Sequence, residues 1–221
     1  MPSKRSYADH GDACAAAHGI EVMGEVWTYP ILREMFLGPK RFGELADLVR
    51  GITPAVLTTR LKELQARGLV RHVTLPPPAR GNAYELTDWG HALQPITDQV
   101  ARWAHASPTW RPDGGLTPDA AVQAMRTMAG APPETALALQ LELYDERLPK
   151  PDTYTYAVDW TESGLTVSRA THPAPDAVVR AGSTTWTRAL FEAQPLDAHS
   201  VVAGDPAVVT AFLTRFATPG E

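Results

Sequence analysis

The stretch from Arg41 to Leu86 constrains the fold more than any other part of the chain, because its local signals follow one another without a gap. Thr53 and Pro54 form a helix start signal, with a threonine cap and a proline at the first helical position. Gly68 ends that helix. Its apolar residues recur at helical spacing and predict one buried face: Leu57, Leu61 and Leu64.

A shorter helix precedes this one, and a hairpin follows it. Phe42, Leu45 and Leu48 predict the first helix, which ends at Arg50-Gly51. The run from Leu69 to Leu75 predicts a strand, and Asn82 to Thr87 predicts its partner. Between them lies a proline-rich tip, Pro76 to Gly81. The order is that of a winged helix-turn-helix, which presents its second helix to the DNA major groove. A plain α+β domain is the alternative.

The outward side chains of the second helix are small or form hydrogen bonds, which suits contacts with base edges and thymine methyl groups. Arg80 is the cation of the hairpin tip and is placed to enter a narrow minor groove. The predicted DNA-binding residues are Arg41, Thr53, Pro54, Ala55, Thr58, Thr59, Arg60, Lys62, Arg80 and Asn82.

The segment from Cys14 to Trp103 resembles the HxlR family of bacterial winged-helix regulators. The resemblance rests on short motifs that occur in order at the expected spacing: Trp27 with Ile31 to Glu34, Leu37-Gly38-Pro39, Arg41 to Leu45, Gly51 to Pro54, Arg60 to Leu64, Gly68 to Arg71, and Tyr84 to Thr87 with Gly90. It implies a homodimeric repressor or activator that binds near-palindromic double-stranded DNA. It also makes Cys14 a candidate redox-sensing residue, because family members can sense oxidants through a cysteine near the start of the first helix. An inert, half-buried thiol is the alternative.

A helix from Trp89 to Trp103, capped by Thr87, follows the hairpin. Its apolar stripe (Trp89, Leu93, Ile96, Val100 and Trp103) has helical spacing and is longer than a small winged domain needs. We therefore expect this helix to form a dimer interface.

Charge and composition divide the chain. Residues 1–106 carry 12 Lys+Arg and 11 Asp+Glu, a net of +1, whereas residues 107–221 carry 8 and 14, a net of −6. The prolines and glycines of 107–115 predict a linker. We therefore predict a winged helix-turn-helix and dimerisation domain at 1–106 and a second domain at 116–221.

The chain has one cysteine, no apolar run long enough for a membrane helix and no signal-peptide pattern after Met1. These features favour a cytoplasmic protein that does not associate with membranes. No motif indicates an enzyme, a cofactor or a metal site. His10, Cys14 and His18 recur every four residues, but the outer two would lie about 12 Å apart on a helix.

The second half resembles the sterol-carrier-protein type 2 fold, an α+β domain with an apolar tunnel. The resemblance rests on Gly164 to Val167, Pro175 to Ala177, Thr184 to Leu190 and Gly204-Asp205-Pro206. It implies a small hydrophobic effector, although the segment from Gln194 to His199 is shorter than the family's. The alternative is that the aromatic residues simply fill a core. The predicted ligand-binding residues are Tyr156, Trp160, Arg169, Trp186, Leu190 and Phe191.

The sequence as a whole predicts an α+β, sequence-specific DNA-binding regulator modulated by an apolar ligand. The alternative is a ligand carrier whose winged domain serves only dimerisation.

Overall fold

A computed structural model of the chain describes residues 6–110, 114–197 and 199–216. It falls into two compact units, divided between Leu93 and Gln94. Residues 111–113 of the expected linker, 107–115, lie outside the described residues. Residues 1–5 also lie outside them. The fold is mixed α and β, as predicted, and its first unit holds the expected helix-turn-helix and hairpin.

Among its described residues, the first unit has the short 3-10 helix Ala8–His10, five α-helices and a two-stranded antiparallel hairpin. Its core is made by buried aliphatic side chains from the helices and the first strand, among them Ile31, Met35, Leu45, Leu57 and Leu61. The elements are α1 (Ala15–Met23), α2 (Thr28–Met35), α3 (Phe42–Leu48), α4 (Pro54–Ala66), β1 (Val70–Leu75), β2 (Gly81–Leu86) and α5 (Asp88–His91).

The second unit is built on a mixed five-stranded sheet, in the order β5-β4-β3-β6-β7. The central strand β3 pairs antiparallel with β4 and parallel with β6. Its elements are α6 (Leu93–His105, of which Leu93 falls in the first unit), α7 (Pro118–Met128), β3 (Leu137–Tyr144), β4 (Thr153–Thr161), β5 (Gly164–Ser168), β6 (Ala177–Gly182), α8 (Ser183–Phe191), β7 (Val201–Gly204) and α9 (Pro206–Leu213).

The prediction of one continuous helix from Trp89 to Trp103 was wrong. Thr87 caps the short helix α5, the chain turns at Ala92, and α6 begins at Leu93. Pro95 explains the break, because it has no N–H to donate to the carbonyl of His91 and its ring crowds that carbonyl.

The two units also divide differently from the predicted domains, because most of α6 belongs to the second compact unit. Among the described residues, no helix has both the length and the apolar character needed to cross a bilayer.

Candidate nucleic-acid interface

The N-terminal cap of helix α4 fixes where the helix begins, and its buried leucines fix which face is exposed. The Thr53 hydroxyl oxygen accepts a hydrogen bond from the Val56 backbone N–H at 3.3 Å, and Pro54 occupies the first helical position. Both are exposed, and Thr53 acts here as the cap. The opposite face is fully buried at Leu57, Leu61 and Leu64. The side chains predicted to point outward are indeed exposed: Ala55, Thr58, Thr59 and Lys62.

The two threonine hydroxyls of this exposed face are already engaged. Thr58 Oγ1 donates to the Pro54 carbonyl at 2.8 Å, and Thr59 Oγ1 donates to the Ala55 carbonyl at 3.0 Å. Because a hydroxyl has a single proton, each threonine has its methyl group and a hydrogen-bond-accepting lone pair left for a ligand.

Arg60, a predicted DNA contact, is paired with two carboxylates of the same unit. Its guanidinium binds Glu63 at 2.6 Å and Glu25 at 3.4 Å, and its side chain is largely covered. Glu63 is the one acid of α4. Arg60 therefore neutralises this carboxylate and ties α4 to the segment before α2.

The hairpin tip, or wing (Pro76 to Arg80), is anchored to the start of α3. Arg41 Nη2 donates to the carbonyls of Ala79 and Arg80, the latter at 2.7 Å. The Arg80 and Asn82 side chains are exposed, as a contact with DNA requires. Arg41 is exposed too, but its contacts give it a positioning role for the wing.

A backbone bridge joins the segment before α3 to the hairpin. The Lys40 N–H donates to the Tyr84 carbonyl at 2.9 Å, and the Tyr84 N–H donates back at 2.8 Å. The wing is thus connected to the helix-turn-helix by both main-chain and side-chain hydrogen bonds.

An exposed apolar residue in the first turn of α4 was missing from the predicted DNA-binding residues. Val56 is 37% exposed, although it is apolar and lies in the first turn of the helix. Its position directly before Leu57, off the buried 57-61-64 stripe, was the available signal.

Cys14 is exposed and is the N-cap residue of α1. Its backbone N–H donates to Asp12 Oδ1 at 2.8 Å. The alternative of a half-buried thiol therefore does not describe this site. Across the described parts of the chain, no three His, Cys, Asp or Glu side chains are grouped to hold a metal ion.

The aromatic residues of the second unit form a packed core. Trp160 and Trp186 are fully buried, and both lie against Phe212, with ring centroids 5.1 and 6.1 Å away. Phe191 packs on Phe216 at 6.0 Å. The alternative in which aromatic side chains fill the core thus describes these tryptophans.

Two other predicted ligand residues belong to a polar cluster. The Tyr156 hydroxyl donates to Asp119 Oδ1 at 2.5 Å, and Arg169 lies 3.7 Å from Asp119 Oδ2. The Arg169 guanidinium also stacks 4.1 Å above the ring of Tyr154. These contacts fix both side chains within the fold.

A cleft of about 600 Å³ opens between the end of α8 and α9. Of the six predicted ligand residues, Leu190 lines it and the other five do not. Ligand binding by the other five residues stays a prediction. The other apolar residues that line the cleft include Leu196, Val201, Val209, Leu213 and Phe216.

Helix α6 is polar on its attached side and apolar on its exposed side. Asp98 and Arg102 bind the end of α7, through Arg126 and Thr127. Three predicted dimer residues on its other side are exposed: Ile96 and Val100 at 49% each, and Trp103 at 78%. Leu93, also predicted for the interface, is instead 9% exposed and belongs to the core of the first unit.

Comparisons with known proteins identify similar helix-turn-helix regulators. Residues 22–109 match the family described as HxlR-like helix-turn-helix. The chain is 30% identical over 110 residues to the uncharacterized HTH-type transcriptional regulator YybR of Bacillus subtilis (strain 168). This match covers 48% of this chain and 86% of YybR. It is 34% identical over 83 residues to the HTH-type transcriptional regulator YodB of the same organism. This match covers 38% of this chain and 74% of YodB. The solved structure of the reduced form of YodB has 29% identity, covers 44% of this chain and 97% of that chain, and gives a TM-score of 0.40.

Proposed function

This chain belongs to the HxlR-like helix-turn-helix family, and we propose that it is a dimeric transcription regulator that reads near-palindromic DNA in the cytoplasm through α4. The observation that carries the proposal is the exposed face of α4. That face displays Ala55, Thr58, Thr59 and Lys62, while Arg60 neutralises the helix's one acid. Such a face suits the major groove, where small side chains can approach base edges.

The wing supplies the second proposed contact. Arg80 and Asn82 are exposed next to the carbonyls that Arg41 holds. An arginine at a wing tip can enter a narrow minor groove or bind a phosphate. We propose this role for Arg80, with Arg41 as the residue that positions it.

The proposed function is tested with the full-length protein and a labelled duplex taken from the region upstream of its own gene. Fluorescence anisotropy at fixed salt should show saturable binding that an unlabelled copy competes away and a scrambled duplex does not. Equal competition by the scrambled duplex would overturn the proposal of sequence-specific binding.

Dimerisation is proposed through α6, because Ile96, Val100 and Trp103 leave an apolar face exposed on a helix that is otherwise anchored by polar contacts. A two-fold dimer would present two copies of α4, as a near-palindromic operator with half-sites about 34 Å apart requires. Sedimentation of the native chain as a monomer at micromolar concentration would contradict this assembly.

A regulatory role is proposed for the second unit, which we propose to be sterol-carrier-like. Its cleft of about 600 Å³ is lined mainly by apolar side chains and has the size of a small-molecule site. Because α6 is bound to α7, a ligand that shifts this unit would also act on the proposed dimer helix. A coupling of about 1–3 kcal/mol would change operator affinity by about 5- to 150-fold.

The cleft also supports a second candidate function, a ligand carrier in which the winged unit serves only dimerisation. The anisotropy experiment separates the two candidates, since a carrier has no preference between the upstream and scrambled duplexes.

A further inference from the structure

We propose that α4 reads its operator mainly through methyl groups, and that Val56, Thr58 and Thr59 select base pairs whose thymine C5-methyl groups face the helix. This proposal rests on the proposed function of α4 as the recognition helix. It adds Val56 as a specificity-determining residue and names the chemistry that the helix recognises.

The hydroxyl groups of Thr58 and Thr59 are bonded within the helix. Thr58 and Thr59 donate their protons to the carbonyls of Pro54 and Ala55, at 2.8 and 3.0 Å. To donate to a base instead, either hydroxyl must first give up its bond within the helix. Its methyl group needs no such exchange and stays available to an apolar partner.

Val56 lies beside these threonines on the exposed side of α4. At about 100° per residue, Thr58, Ala55, Thr59 and Val56 follow one another around the side of α4 opposite its buried leucines. Ala55, Thr58 and Thr59 are exposed, and Val56 is 37% exposed. The start of α4 therefore presents a continuous band of methyl groups to solvent.

The major groove presents different chemical groups at guanine and at thymine. Guanine presents two acceptors there, O6 and N7, which require donors, whereas thymine presents a methyl group. Along residues 54–62, the hydroxyl protons are engaged and Arg60 is bound to Glu63 and Glu25. Lys62 is the charged donor exposed on this face, one turn beyond the methyl band. The band therefore matches thymine better than guanine.

The test begins with the full-length protein and a duplex selected by it from a random pool. Each thymine of the half-site is then replaced by deoxyuridine, which differs only by the missing methyl group. We expect one or more replacements to weaken binding by about fourfold each, the factor expected for removing one buried methyl group. This arm uses the native protein and is independent of any effect of mutation on folding.

A matched set of variants identifies the residues involved. Thr58→Ser and Thr59→Ser keep the hydroxyl and lose the methyl, whereas Thr58→Val and Thr59→Val do the reverse. We expect the serine variants and Val56→Ala each to bind the thymine duplex about fourfold more weakly than the native chain. On a duplex in which deoxyuridine replaces the thymine that the residue contacts, the same variant should bind as well as the native chain does. The valine variants should stay within about twofold of the native affinity.

Three results would overturn the proposal. Deoxyuridine could have no effect at any position, the valine variants could weaken binding while the serine variants do not, or the selected half-site could place only G·C pairs against α4. Failure to select any duplex would overturn the proposed function itself and this proposal with it, so the two failures are distinguishable.

Discussion

Asp98 of α6 binds Arg126 of α7, with Arg126 Nη2 lying 2.7 Å from Asp98 Oδ2 and 3.0 Å from Oδ1. Asp98 Oδ1 also accepts from the Thr127 hydroxyl at 2.8 Å, and Arg102 Nε donates to the Thr127 carbonyl at 2.9 Å. The two charged side chains are 18% and 28% exposed, so solvent screens their pairing only in part. These bonds make α6 an integral part of the second unit.

Asp98→Ala should therefore lower the stability of the second unit by about 1–3 kcal/mol, because it leaves Arg126 and Thr127 without their shared acceptor. Urea unfolding followed by the fluorescence of the buried Trp160 and Trp186 measures this free energy. Glu192→Ala is the control. It removes the exposed acceptor of Gln194 Nε2 in the same unit and should cost no more than about 0.5 kcal/mol. Equal losses in the two variants would show that the α6–α7 contact has no special role.

The same contact bears on how the chain can be divided. Deleting 113–221 removes Arg126 and Thr127 together with the rest of the second unit. We expect the truncated chain to bind its operator more weakly than the full chain, because α6 loses its polar anchors. Anisotropy with the two chains side by side measures this. An unchanged affinity would mean that the second unit contributes nothing to holding α6.

Arg80→Ala should weaken binding to all duplexes alike and reduce the slope of log affinity against log salt by about 0.9.

Arg41→Ala should weaken operator binding by releasing the wing, without a large change in thermal stability, because Arg41 is exposed and its partners are two wing carbonyls. Arg71→Ala is the matched control, since this exposed arginine of β1 pairs with Glu85. If Arg71→Ala weakens binding as much as Arg41→Ala, the positioning role of Arg41 is wrong.

The double variant Ile96→Asp, Val100→Asp should be a monomer with poor operator affinity, because two carboxylates would be placed in the proposed interface. Val202→Asp, on the exposed part of β7, is the control and should remain a dimer. Sedimentation equilibrium distinguishes the two states. A double variant that stays dimeric would place the interface elsewhere.

Cys14→Ser tests the predicted thiol sensor. Because Cys14 is exposed, hydrogen peroxide should reach it and change the operator affinity of the native chain. The serine variant should keep the same affinity before and after treatment. If both chains respond equally, Cys14 is not the sensing residue.

The helices and strands of the first unit could largely be predicted because their local signals are strong. Thr53-Pro54 and Gly68 bound α4 where the sequence placed it, and Asp205-Pro206 begins α9 in the same way. The break at Ala92 was missed, because the apolar stripe continues across it and hides the effect of Pro95.

The site was predicted less completely, because side-chain pairing depends on residues that are distant in sequence. Arg60 was assigned to DNA on its charge, yet Glu25, 35 positions earlier, is one of its partners. Trp160 and Trp186 were predicted to bind a ligand because they are aromatic, and the sequence could not show that both contact Phe212 of α9. Helical spacing could show which face Val56 occupies, but its exposure depends on the surrounding fold.

The most direct test of α4 as the recognition helix is the operator affinity of Thr58→Ala and Thr59→Ala, measured by anisotropy with the full chain. Thr210→Ala is a closely matched control. Thr210 is exposed in α9, and its hydroxyl donates to the Pro206 carbonyl just as that of Thr58 donates to the Pro54 carbonyl. We expect each α4 variant to lose about 1 kcal/mol of binding free energy on the specific duplex, with Thr210→Ala unchanged. Native affinity in both α4 variants would contradict the assignment.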